Sequence, residues 1–519
     1  LEAGDAVTMP SNEAHYFPGK VYLVGAGPGD PRLITLRGWQ LLCRADVVLY
    51  DGLVNEQLLE MAPPHCVQYC VGKRGHGGLW KQGQINDLLV ESARAHRVVV
   101  RLKGGDTGIF ARTAEEVERL EAEGISFEIV PGITAALAVS AYTGIPITHR
   151  DWSSCLALIA GQSQAPDGYA DSEEPMDWKA LARFPGTLIL YMGIASAPQW
   201  SRQLMEAGMS AKTPVGLVRR CSWPDQQMLR CDLESLESTI QTHPQFTPPV
   251  IGVVGDVVQA ASQRCWFSDQ PLRGKRFIIT SPLEQGRILR DMFADQGASC
   301  TLAPVIEIAD PRSWSSLDQT IDALSQIDWM VFSSVHGVRG FFQRLRARGL
   351  DARALASTRV AAVGASTADE MVPFGIQCDL VPSSGSGAEA LWKDLHSLVV
   401  GRRVAVVRAP EGKAYLLDRL GPVASRLFPC EAYRQEPVDV WTAKVRLSLD
   451  ESPQPVMVVT SSRIAANAVR LLGERASDFS WLSLSDQVTE TLRQLGCSRV
   501  QTSAMATYLS LVETAVASS

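Results

Sequence analysis

Histidine is scarce, eight in 519 residues, and no two stand at the short spacings that ligate a metal, so no metal site is expected. The eleven cysteines are odd in number, occur one at a time, as at Cys43, Cys155, Cys300 and Cys497, and form no CxxC pair. That argues against a disulfide framework and points to reduced thiols in the cytoplasm. Long apolar runs are missing too. None approaches a membrane span, and Leu1-Glu2-Ala3-Gly4-Asp5 opens neither a basic nor an apolar leader, so no membrane association is expected. Positive charge is in deficit, 49 Lys and Arg against 56 Asp and Glu, a net charge of -7, which argues against non-specific nucleic-acid binding.

What is present is an ordinary globular composition, 46% hydrophobic and 20% charged, in a chain too long for a single core. Residues 1–17 are polar and patternless and are read as a tail. From Lys20 short β-branched runs alternate with helical patterns: Val21 to Val24, Val47 to Tyr50, Val98 to Leu102, Phe127 to Val130. Strands separated by amphipathic helices predict an α/β domain with a mostly parallel sheet. A polar stretch from Gln162 to Asp177 interrupts the pattern, Val250 to Val254 reads as a last buried strand, and 269–273 reads as a linker. The α/β rhythm then restarts at Arg276. Two pieces of this second half echo each other, Trp329 to Ser334 and Val456 to Ser461, each an apolar strand ending in hydroxyls before a helix, which suggests two similar lobes.

The turn Gly25-Ala26-Gly27-Pro28-Gly29-Asp30 after the first strand lets backbone approach a ligand closely, because glycine lacks Cβ. Two readings compete with that one: a plain tight turn with no ligand, and a dinucleotide cradle. A dinucleotide fingerprint would fit Asp51 about twenty residues on. Against it, Asp30 fills the third glycine position, and Pro28 and Pro31 hinder a helix from opening there with free amides.

Seven further motifs follow in order: Leu33-Ile34-Thr35-Leu36-Arg37-Gly38, Ala45 to Asp51, Val71-Gly72-Lys73-Arg74, Val99 to Asp106, Val130 to Ala136, Gly144 to Arg150, and Tyr191-Met192-Gly193. Over about residues 19–268 this series resembles the uroporphyrinogen-III C-methyltransferases, which methylate uroporphyrinogen III twice to precorrin-2. The resemblance implies a two-lobed tetrapyrrole methylase fold, with lobes at about 18–146 and 147–268, and S-adenosylmethionine as cosubstrate. It places cosubstrate contacts on Pro28, Gly104, Gly105, Asp106, Ile109, Thr134, Ala135 and Met192. It puts a proton acceptor at Asp51 and a donor at Lys73, and it suggests that Arg74, Arg101, Lys103, His149 and Arg150 hold the carboxylate arms of the substrate. A homodimer through this half is also implied. The chain departs from the family pattern at 107–114, at Ala160-Gly161-Gln162 and at Arg219-Arg220-Cys221.

In the second half Thr280-Ser281-Pro282, Ala303 to Ile308, Asp328 to Ser334, Val360 to Ala368, Val404 to Ala409 and Ala432-Tyr433-Arg434 follow in an order similar to uroporphyrinogen-III synthase, over about residues 274–519. That family closes hydroxymethylbilane while inverting its last pyrrole. The resemblance implies a two-lobed α/β fold, one lobe from 274–307 plus 436–519 and the other from 308–435, joined by two strands. It assigns Tyr433 a catalytic hydroxyl and Ser334, Thr367 and Ser461 a role in holding substrate. Ser and Thr after a strand also cap helices, which is the plainer reading for those three. The family pattern is weakest at Leu484 to Thr489.

The two halves join chemically, since the product of the second is the substrate of the first; oxidation and metal insertion would then fall to a separate precorrin-2 dehydrogenase or chelatase. Two other readings remain at this point. One is a methyltransferase with a non-catalytic binding module; the other is an NAD-dependent oxidoreductase followed by a two-lobed ligand-binding module.

Overall fold

Runs of β-branched residues form the strands of a computed structural model that describes residues 19–72, 80–161, 176–261, 264–385, 387–412 and 414–519. The chain divides into two compact units, Leu1–Gly274 and Lys275–Ser519.

The first unit opens with a five-stranded sheet in the order Val67–Cys70, Val47–Tyr50, Val98–Lys103, Lys20–Gly25, Phe127–Val130, every neighbouring pair parallel. Parallel strands bring their carboxyl ends to one edge, so Gly25, Asp51, Gly104 and Pro131 emerge along a common rim. Both faces are covered. Val24, Val48, Val100 and Leu102 pack with Leu41 and Leu42 of helix Leu36–Leu42. Leu23, Leu49 and Val99 pack with Leu89 and Val90 of helix Gln82–Ala95 and with Leu120 of helix Thr113–Ala122. Side chains alternate along a strand, so Arg101 and Lys103 share the second, helix-covered face with Val99.

The second sheet of this unit runs Leu156–Ala160, Thr187–Tyr191, Val250–Val254, Pro214–Arg219, Gln227–Asp232. Only its first pair is parallel. The mostly parallel rhythm read from the sequence thus stops here, because Pro214–Arg219 returns through the short connection 220–226, too short for a parallel crossover. Helix Ala135–Thr143 packs into this sheet beside Ile189, Val218 and Val253.

The second unit has two parallel sheets. One runs Ser299–Leu302, Arg276–Ile279, Val456–Val459, Ser480–Ser483, Val500–Thr502; the other runs Arg359–Ala362, Trp329–Phe332, Arg403–Arg408, Arg426–Glu431. An antiparallel pair, Ile306–Ala309 with Arg434–Pro437, joins the lobes that carry them. The sequence echo is structural: Ser334 Oγ accepts from Gly337 N at 3.0 Å and Ser461 Oγ from Ile464 N at 3.2 Å, each capping the helix after its strand. Among the described residues no helix is long and apolar enough to cross a membrane.

Candidate active sites

At the rim of the first sheet three backbones meet without side chains between them. Gly27 N donates to Gly105 O at 3.1 Å and Gly105 N to Gly27 O at 2.8 Å. A Cβ on Gly132 would stand 2.3 Å from Gly105 O, and one on Gly25 would stand 2.6 Å from Gly132 Cα. Only glycine permits this approach, so the spacing of Gly25, Gly105 and Gly132 in the sequence is a packing requirement. Asp106 locks the arrangement: its Oδ1 accepts from Gly108 N at 2.7 Å and its Oδ2 from Gly132 N at 2.8 Å.

Asp30 explains why the turn is no pyrophosphate cradle. It is 7% exposed, and its carboxylate accepts from Arg32 N at 2.9 Å and from Tyr142 Oη at 3.1 Å, while its own amide donates to Ser222 Oγ at 3.0 Å. The carboxylate caps the three-residue turn Pro31–Leu33 and binds it to helix Ala135–Thr143, leaving no free helix N-terminus for a phosphate. Burial and the neighbouring Asp30 push the Tyr142 hydroxyl well above its ordinary pKa, so it stays a donor.

Asp51 stands beside this rim. Its side chain is 33% exposed, Oδ1 accepts from Arg101 Nη2 at 2.5 Å, and among the described residues Oδ2 has only a long 3.4 Å contact from Gly104 N. On the far side of the rim Tyr191 Oη lies 2.6 Å from Thr134 Oγ1 and accepts from Ala136 N at 2.9 Å, with the Phe110 ring centroid 5.1 Å away. Burial raises the Tyr191 pKa, keeping it neutral. Phe110 and Met192 flank Tyr191 with φ of 51° and 53°, and they remain 45% and 47% exposed. Left-handed backbone under an exposed apolar side chain is strain without a core to offset it, a pattern that concentrates at ligand sites. Gly161 and Gly193 make a second close approach, a Cβ on the former falling 2.5 Å from the Cα of the latter. In the segment 219–221, Arg220 pairs with Asp225 and lies 4.2 Å from the Trp223 ring, and burial pushes the Cys221 thiol up to about 12.

In the second unit a cleft of about 470 Å³ is lined by Gln285, Glu307, Asp310, His336, Arg339 and Tyr433 among others. Tyr433 is buried, its Oη accepts from Ser334 Oγ at 2.9 Å, and burial raises its pKa. Gln435 is a second side-chain hydrogen-bond partner of the phenol. The His336 ring lies 5.6 Å from Tyr433 and accepts at Nε2 from Gln285 Nε2 at 3.0 Å; burial lowers its pKa, so it is neutral at pH 7. Arg339 is held by Glu370 at 2.7 Å and by Glu284.

Two family models match this chain: tetrapyrrole (corrin/porphyrin) methylases over residues 20–237 and uroporphyrinogen-III synthase HemD over residues 289–513. The porphyrin biosynthesis protein HemD of Ruminiclostridium josui is 35% identical, across 71% of this chain and 72% of that protein. The chain belongs to the tetrapyrrole methylases fused to a uroporphyrinogen-III synthase. The uroporphyrinogen-III C-methyltransferase of Bacillus subtilis (strain 168) is 37% identical, across 66% of this chain and 69% of that protein. A crystal structure of uroporphyrin-III C-methyl transferase from Thermus thermophilus, complexed with S-adenyl homocysteine, is 38% identical over 47% of this chain and all of that one, with a TM-score of 0.40.

In this methylase unit the structure brings Pro28, Gly104, Gly105, Asp106, Ile109, Thr134 and Met192 to the loops that follow the strands, with Asp51 among them, and Ala135 to the first position of helix Ala135–Thr143. His149, stacked on Trp152 at 4.9 Å, and exposed Arg150 sit in the loop before Leu156–Ala160. Lys73 and Arg74 lie outside the described residues. Two expectations need correction. Arg101 and Lys103 are 3% and 1% exposed and are spent inside the unit, because strand alternation turns both under helix Thr113–Ala122, so they are not placed to meet a substrate arm. In the synthase unit Thr367 is buried and absent from the cleft lining, and Ser461 spends its oxygen on a helix cap. Conversely, Tyr191 stands in a motif but was given no role, and Glu116, His336 and Gln285 stand in none. The signal for Tyr191 was present, since it closes the strand immediately before Met192; the others have partners distant in sequence.

Proposed function

We propose that this chain carries hydroxymethylbilane to precorrin-2 in two consecutive reactions, ring closure in residues 274–519 and two methylations in residues 18–268. The observation that carries the reading is the side-chain-free rim of Gly25, Gly105 and Gly132 with one half-exposed carboxylate, Asp51, beside it.

In the methylation a pyrrole carbon of uroporphyrinogen III attacks the methyl of S-adenosylmethionine. A C–C bond forms, the C–S bond breaks with its electron pair returning to sulfur, and adenosylhomocysteine leaves. Such a displacement depends chiefly on alignment, which backbone loops and the Phe110, Tyr191 and Met192 wall supply. The macrocycle is left cationic and gives up a proton to Asp51 Oδ2, the oxygen that among the described residues carries only the long Gly104 contact. Lys73 is assigned the proton-donor role. His149, Arg150 and Arg74 are the cations offered to the substrate carboxylates.

In the ring closure the hydroxymethyl C–O bond breaks as Tyr433 passes its proton to the leaving oxygen, giving water. The substituted α-carbon of the last pyrrole attacks the resulting cation, and its old bond to the bridging methylene breaks to leave a new cation there. That cation is closed by the free α-carbon of the same, now inverted, pyrrole; the proton lost from this carbon restores the phenol. Tyr433→Phe is expected to slow formation of isomer III about 10²-fold. Uroporphyrinogen I then accumulates from spontaneous closure; an unchanged isomer III rate removes the assignment.

The eleven free thiols support a cytoplasmic setting. Exposed Leu36, Trp39 and Leu137 on the first unit support a homodimer through it. Supplying the purified chain with hydroxymethylbilane and S-adenosylmethionine tests the whole reading, and a dimethylated isomer III product is expected. A methylated isomer I product would instead leave the second unit a binding module.

A further inference from the structure

Arg101, Lys103 and Glu116 lie almost wholly inside the first unit, with Glu116 fully buried. Burying charges this deeply contributes little to stability, since apolar residues of the same volume commonly serve as well. The contacts form a row. Lys103 Nζ pairs with Glu116 Oε2; Arg101 Nε donates to Glu116 Oε1 at 3.0 Å; Arg101 Nη2 donates to Asp51 Oδ1 at 2.5 Å; Arg101 Nη1 reaches Leu102 O at 3.3 Å. Gln82 Nε2 adds a 3.4 Å contact to Glu116. Cation and carboxylate alternate to a net charge of zero, and of the four only Asp51 reaches the rim.

A guanidinium is a planar fork of fixed donors, so whatever fixes its plane fixes the carboxylate it grips. We infer that Glu116 is a positioning residue for Asp51, acting through Arg101 to hold Oδ1 inward and present Oδ2 at the rim. This rests on Asp51 being the proton acceptor proposed above. Among the described residues the charged groups facing Asp51 are Arg101, with Glu116 and Lys103 behind it. Neutralising Glu116 would leave Arg101 balanced by Asp51 alone and weaken the contact that fixes the guanidinium plane. It would also strand Lys103, whose pKa burial already lowers against the pull of Glu116.

The test is Glu116→Gln in the full chain, assayed for methyl transfer to uroporphyrinogen III. Its kcat is expected to fall about 10²-fold while KM and the adenosylhomocysteine dissociation constant stay within about twofold. Asp51→Asn is run beside it, and the double variant should be no slower than Asp51→Asn alone, as for residues acting as one unit. A folded Glu116→Gln with the parent kcat, or effects that multiply in the double variant, overturns the inference. Inactive Asp51→Asn beside fully active Glu116→Gln removes this inference only, whereas fully active Asp51→Asn removes its premise. Should Glu116→Gln fail to fold, Arg101→Lys, which keeps the charge and loses the fork, must show the same kcat loss at unchanged affinity, and an undiminished kcat overturns the proposal.

Discussion

Asp51→Asn is expected to bind adenosylhomocysteine like the parent and to lose methyl transfer by about 10²–10⁴-fold, the usual worth of a positioned general base. The substitution preserves shape, and the amide oxygen still accepts from Arg101, so the rim should stay intact. What disappears is the proton acceptor. Because the cationic intermediate cannot shed its proton, the loss should appear in kcat with little change in KM. Isothermal titration with adenosylhomocysteine and product analysis from uroporphyrinogen III measure the two halves of the expectation separately. Normal precorrin-2 formation would sink the assignment. The same titration run with NAD separates the methylase from an oxidoreductase. No enthalpy should be seen with NAD, since Asp30 already occupies the capped turn where a pyrophosphate would need free amides.

Much of this site is legible in the sequence because its parts are local. Each strand ends at its motif, so reading Val47 to Tyr50 as a strand places Asp51 at a strand end without any knowledge of the sheet order. The glycines are legible for the same reason, each marking one loop. What is not legible is which side chains the sheet turns inward. Arg101 and Lys103 read as cleft cations because charge in a strand usually faces water, but Glu116 on a helix beginning ten residues later claims both. A pairing between a strand and a covering helix leaves no period in the chain. The hydroxyls after the strands of the second unit fail differently: a serine there is equally a cap or a ligand, and only coordinates separate Ser461, which caps, from Ser334, which caps and also meets Tyr433. Asp30 is the reverse case. As a departure from the nucleotide fingerprint it excluded a ligand, and its partners Tyr142 and Ser222, over a hundred residues away, give the reason.

Gly132→Ala is expected to destroy the cosubstrate site while leaving the synthase reaction untouched. The added methyl would sit 2.3 Å from Gly105 O and 2.8 Å from Gly25 Cα, both backbone atoms that no rotamer change can move aside. Relief requires the Gly104 to Asp106 loop to retreat, which breaks the 2.8 Å bond from Gly132 N to Asp106 and the paired bonds between Gly27 and Gly105. Overpacking of this kind costs about 1–3 kcal/mol, and the upper end applies where both neighbours are backbone. The sharper readout is ligand protection. At a hundredfold excess over its dissociation constant, adenosylhomocysteine should stabilise the parent by about 2.7 kcal/mol, visible as a rise in Tm, and this increment should vanish in the variant. Isomer III formation from hydroxymethylbilane should continue at the parent rate, since the tyrosine cleft belongs to the other unit. Full ligand protection in Gly132→Ala would mean that the three glycines are a packing device and that the methyl donor binds elsewhere.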